Sequence, residues 1–94
     1  MEIIRNGAEV IVNRCCNVVN MLTGNPVNIE KDTMATVIGI NDGPIYGYVR
    51  YMIDILNARL DEESNGRVRC WVLAEWVREA TLRDLYGQKV YVGA

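Results

Sequence analysis

The chain predicts a mainly β fold, and three features carry that prediction. Met34 to Ile40 reads MATVIGI, a run rich in β-branched residues. It is framed by the polar turn Glu30-Lys31-Asp32-Thr33 and by Asn41-Asp42-Gly43-Pro44. Arg67 to Val72 alternates apolar and polar positions directly after Ser64-Asn65-Gly66, where Asn-Gly supplies the positive φ values of a reversal. Turn residues recur throughout only 94 residues, and a sheet of that size buries one face by closing on itself. The expected architecture is a small barrel of five to six antiparallel strands with a short C-terminal helix.

Each element follows in order. Ala8 to Asn13 is the first strand, entered at Gly7, with Val10 and Val12 on one side and Glu9 and Ile11 on the other. Arg14 to Asn28 holds Asn17, Asn20, Asn25, Asn28 and the cluster Thr23-Gly24-Asn25-Pro26, so it reads as a long irregular loop. Its apolar residues Val18, Val19, Met21 and Leu22 fold it back on the core. Val27 to Ile29 forms a short strand before the Met34 strand, in which the pleat lets one of Val37 and Ile38 point inward.

Ile45 to Leu60 fits two periodicities. As a strand it groups Val49, Tyr51, Ile53 and Ile55 on one face; as a helix it groups Val49, Met52, Ile53, Leu56 and Leu60. Tyr46, Tyr48, Val49 and Tyr51, together with Gly47 and the lack of an N-cap, favour a strand for the first half. Asn57 to Glu63 is left as helix or hairpin arm. In the strand Arg67 to Val72, Val68, Cys70 and Val72 face inward and Arg67, Arg69 and Trp71 outward. Leu73 to Trp76 suits one helical turn that can continue through Arg78 to Tyr86. Thr81 and Asp84 frame a short capping box, Gly87 stops the helix, and Gln88 to Val92 alternates weakly as a last strand.

Composition bounds the function. A single domain of this length buries roughly 60 to 65% of its unfolded surface, which leaves a thin stability margin. A formal charge of −2, from 10 basic and 12 acidic residues, gives no general drive toward phosphate backbones, so nucleic acid is disfavoured. Glu2, Arg5, Asn6, Glu9 and Asn13 interrupt any signal-peptide core. No apolar run reaches the roughly 18 residues of a membrane span. Three cysteines, Cys15, Cys16 and Cys70, fit a reducing compartment better than a disulfide framework. The expectation is a soluble cytoplasmic domain without membrane contact.

Four segments together resemble a known family: the strand near Glu9 to Asn13, the turn and strand Asp32 to Gly39, the strand through Tyr48-Val49-Arg50-Tyr51, and Cys70-Trp71-Val72-Leu73-Ala74-Glu75-Trp76-Val77. They resemble the SH3-like barrels of bacteria, including bacterial SH3 domains and related small barrels of accessory subunits and translation proteins. The likeness spans about two thirds of the chain and implies a binding module without naming its ligand. Asp32 and Cys70 stand where the family commonly places glycine, and the segment to Glu63 is longer than the usual hairpin arm. Many family members act outside the cytoplasm on cell-wall material, a role the missing signal sequence argues against.

Catalytic chemistry finds little support in the residues. The chain has no histidine, which removes the ordinary Cys-His pairing. Zinc would need a fourth ligand such as Glu75 or Asp32 and lacks a Cys-x-x-Cys loop. The acidic runs Asp61-Glu62-Glu63 and Glu75 with Glu79 read as solvated tips rather than an acid/base pair. Gly39, Gly43 and Gly47 match no phosphate loop. No cofactor or metal is expected.

Aromatics carry the binding signal. There are two tryptophans, five tyrosines and no phenylalanine, so every ring has a polar handle. Trp71, Tyr46 and Tyr48, with Arg50, Arg67 and Arg69, are the candidate recognition residues, while Tyr51 and Trp76 are read as core or interface. The expected function is a non-catalytic module that binds a protein or peptide partner, or a second copy in a homo-oligomer. An RNA- or DNA-binding barrel is the alternative, with tyrosines stacking on bases and arginines on phosphates.

Overall fold

The computed structural model describes residues 3–41 and 48–87. Among these, β1 (Glu9–Val12), β2 (Cys16–Val19), β3 (Pro26–Ile29), β4 (Met34–Asn41), β5 (Arg50–Leu56), β6 (Arg67–Leu73) and β7 (Val77–Glu79) precede one short helix, α1 (Leu82–Gly87). The fold is mainly β and its strand pairs are antiparallel, as expected. Five strands form one sheet in the order β6-β5-β4-β1-β7, and β2 with β3 forms a separate hairpin. Tyr46, the Asp42 to Gly47 part of the expected turn and strand, and the expected strand Gln88 to Val92 lie outside the described residues.

The pleat decides what is buried. On β5 and β6, Tyr51, Ile53, Ile55, Val68, Cys70 and Val72 all point into one cluster with Val10, Val12, Ala35, Val37 and Val77. The helical stripe of the Ile45 to Leu60 segment is thereby set aside in favour of the strand. Cys16, Val27 and Ile29 of the hairpin join the same cluster, and the hairpin tip bonds to the outer edge of β6. The bulge in β4 falls between Val37 and Gly39, where the register against β5 shifts by one residue. Val37 is fully buried and Ile38 turns outward, which resolves the pleat in favour of Val37. Ile11 is also buried, although it shares the outward side of β1 with Glu9; Met34 and Arg78 flank it in register.

Three sequence expectations need correction. Arg14 to Asn28 is no irregular loop: Asn17 and Asn28 sit opposite each other on the exposed side of the hairpin, while Asn20 and Asn25 close its tip, the Asn20 amide donating to the Asn25 carbonyl at 2.8 Å. Val19, Met21 and Leu22 are exposed, and it is Asn20 that is buried. The helical turn at Ala74–Trp76 does not continue, because Val77–Glu79 leaves it to pair with β1. Asn57 to Glu63 is neither an α-helix nor a continued hairpin arm but a connection that runs into a 3-10 turn at Glu62–Ser64, after which Asn65 and Gly66 take the expected positive φ, 56° and 84°.

Local chemistry secures the remaining turns. Asp32 takes φ 73°, the left-handed conformation most easily reached by glycine, and Asp is among the few other residues that adopt it readily. The capping box forms as expected: Asp84 Oδ2 accepts from the Thr81 amide at 2.8 Å and Thr81 Oγ1 accepts from the Asp84 amide at 3.2 Å. Among the described residues no helix is long and apolar enough to cross a membrane.

Candidate functional site

Trp71 reaches the surface because β6 buries its even-numbered side chains. It lies opposite Met52 of β5, and Arg50 lies opposite Leu73, so Arg50 and Trp71 are diagonal neighbours on the outward face. The Arg50 guanidinium sits over the Trp71 ring, 5.4 Å from its centroid. A second pair of the same kind lies nearby, with the Arg14 guanidinium 5.3 Å from the centroid of Trp76. Such stacking favours a planar cation on an indole face.

Between these pairs and the hairpin runs an open groove of about 500 Å³, lined by Asn17, Val18, Val19, Met21, Pro26, Trp71 and Trp76. The 3-10 turn after β6 brings Trp76 alongside Trp71, and alternation along β2 and β3 turns Val19 and Pro26 away from the core as a matched pair. The hairpin is held at this distance by its tip. Met21 donates its amide to the Arg69 carbonyl at 2.8 Å. Asp61 collects Thr23 Oγ1 at 2.6 Å and Asn20 Nδ2 at 2.9 Å. These bonds, Thr23 first, hold the Asp61 carboxyl below the usual carboxylate range.

Of the expected recognition residues, Trp71 lines this groove, and Arg50 lies over its ring without itself being part of the lining. Tyr48 is exposed at the entry to β5. Arg69 forms a two-bond ion pair with Asp54, Nε to Oδ1 at 2.9 Å and Nη2 to Oδ2 at 3.2 Å. That pair extends a polar row across the sheet, since Thr36 faces Asp54 and donates to Glu9 Oε1 at 2.9 Å. Arg67 lies at the far end of β6, beside a smaller cavity of about 280 Å³ whose walls include Leu22, Leu56 and the Arg69–Asp54 pair.

Tyr51 is a core residue, 1% exposed, and its hydroxyl accepts the Ile4 amide at 2.9 Å. Trp76 is both things that the sequence allowed, packed on the core and lining the groove. Arg14 and the hairpin residues Val18, Val19, Met21 and Pro26 were not expected at a site. Their only sequence signal was an apolar content unusual for a loop. No family model, no curated protein and no solved structure matches the chain.

Proposed function

We propose that the domain is a non-catalytic binding module of the SH3-like small-barrel kind, taking a protein or peptide partner into the groove beside Trp71. One observation carries this reading: an exposed apolar hairpin wall and two tryptophans line a single open groove, and an arginine guanidinium lies over each of those indoles. Large amphipathic rings beside arginines are the residues that most often anchor interfaces. Each segment on which the resemblance rests overlaps a strand, and the last also contains the short helical turn between Trp71 and Val77. A reducing, cytoplasmic setting accords with three free thiols.

Panning a random peptide library against the purified domain tests the proposal. Selected peptides should bind the wild-type protein and lose at least about 2 kcal/mol, roughly thirtyfold in affinity, on Trp71→Ala. The variant should keep its cooperative thermal transition. Undiminished peptide binding by a folded Trp71→Ala protein would remove the groove from consideration, and loss of the transition itself would make Trp71 a core residue. Sedimentation of both proteins shows whether a second copy occupies the site. Steep weakening as salt rises would instead favour nucleic acid.

A further inference from the structure

The groove is uneven in charge. Its hairpin wall belongs to a stretch, Cys15 to Ile29, that contains no charged residue at all. The other side is formed by Trp71 and Trp76, and the guanidiniums of Arg50 and Arg14 lie over those two rings, outside the lining itself. Neither makes an ion pair with a described residue, whereas Arg69 and Arg78 are held by Asp54 and Asp84. A guanidinium held over an indole by cation–π attraction keeps N–H donors that can take a carboxylate. No lining residue is charged; Arg14 and Arg50 stand at its tryptophans, and the exposed Glu75, next to Trp76 in sequence, is also outside the lining.

Resting on the docking reading above, we infer that the partner is an extended apolar segment bearing carboxylates, an acidic peptide. Its apolar side chains meet Val18, Val19, Met21 and Pro26, and its carboxylates meet Arg14 and Arg50. A basic peptide finds no counter-charge in the groove. A nucleic acid strand fits less well, because the hairpin wall is aliphatic rather than aromatic and two cations are few for tracking a phosphate backbone.

Both tryptophans of the chain line the groove, so intrinsic fluorescence reports its occupancy. The intact protein is titrated with three short peptides that alternate leucine with glutamate, glutamine or lysine. The glutamate peptide should shift the emission and bind about tenfold tighter than the glutamine peptide, as expected for charge-assisted hydrogen bonds. The lysine peptide should bind more weakly still. Arg14→Gln with Arg50→Gln should abolish the preference for glutamate while leaving the thermal transition in place. Equal affinity for all three peptides would sink the acidic-partner inference yet leave the docking groove standing. A preference for lysine, or no response to any peptide, overturns it as well, and the library peptides then decide the docking reading separately. Displacement of the glutamate peptide by oligouridylate at lower concentration would replace it with a nucleic acid surface.

Discussion

Asn20 pairs with Arg69 through its side chain in the way a neighbouring strand would through its backbone: Asn20 Oδ1 accepts the Arg69 amide at 3.1 Å, and Asn20 Nδ2 donates to the Arg67 carbonyl at 2.9 Å. A carboxamide carries the same donor and acceptor as a peptide group, so Asn20 covers part of the open side of β6, the last strand of its sheet. The same Nδ2 meets Asp61. One buried side chain therefore ties the hairpin tip, the edge strand and the long connection together.

Asn20→Ala should destabilise the protein by about 2 to 3 kcal/mol, since it takes the acceptor from the Arg69 and Leu22 amides at once. Asn25→Ala should cost about 1 kcal/mol or less, because its contacts with Asp61 are long, at 3.3 and 3.5 Å. Urea unfolding of the two variants measures the difference. Equal losses would mean that the edge cover contributes nothing.

Acid should weaken the fold through Asp61. Its folded pKa is depressed, first by Thr23 and then by Asn20, so its contribution is present above the unfolded value of about 3.9 and is lost as pH falls through the folded value. Asp84, lowered mainly by Arg78, acts in the same direction. Thermal midpoints should hold from neutrality to about pH 4 and then fall. Asp61→Asn should start lower and show a shallower fall; parallel curves would exclude this carboxylate as a source.

Two glycines with similar backbone angles should respond differently to alanine. Gly24 has φ 80° with open space around the missing Cβ, so Gly24→Ala meets only left-handed strain of about 1 to 2 kcal/mol. At Gly66, φ 84°, a Cβ would lie 2.7 Å from both the Ala58 Cα and the Asn57 carbonyl oxygen. Gly66→Ala should therefore lose about twice as much or more. Matching midpoints in denaturant would show that the Asn57 backbone gives way.

Thiol labelling should distinguish the cysteines. Cys15 is exposed, whereas Cys16 and Cys70 are buried. Burial pushes the Cys70 thiol up to about 12 and raises Cys16 as well. A disulfide reagent added to native protein at neutral pH should titrate one thiol rapidly, and all three after unfolding. Rapid reaction of a second thiol would mean that the core opens on the labelling timescale.

Legibility in the sequence tracks how local the determining interaction is. Strand β4, the alternation of β6, the turn at Asn65 and the Thr81–Asp84 box all rest on neighbours within a few residues, and all could be read directly. Of the hairpin only Val27 to Ile29 could, because asparagine favours turns locally, and what buries Asn20 is Asp61 and β6, more than 40 residues away. Strand β7 has three residues and no alternation of its own; only β1 makes it a strand. The outward direction of Trp71 followed from parity on β6. Its groove did not, since the facing wall is the hairpin, and the Arg14–Trp76 stack depends on elements more than 60 positions apart.

The register of β1 has a consequence for the order of events during synthesis. Val10 faces Ala35 on one side and Glu79 on the other. Strands β4, β5 and β6 can form a meander from neighbouring chain, but β1 gains its second partner only after residue 79 has left the ribosome. Closing so long a loop is slow compared with forming a hairpin. Until it closes, one ladder edge of the earliest strand stays open to pairing with other chains. The open edge of β1 is therefore the place where the nascent domain is most exposed to aggregation, until residues 77–79 arrive to cover it.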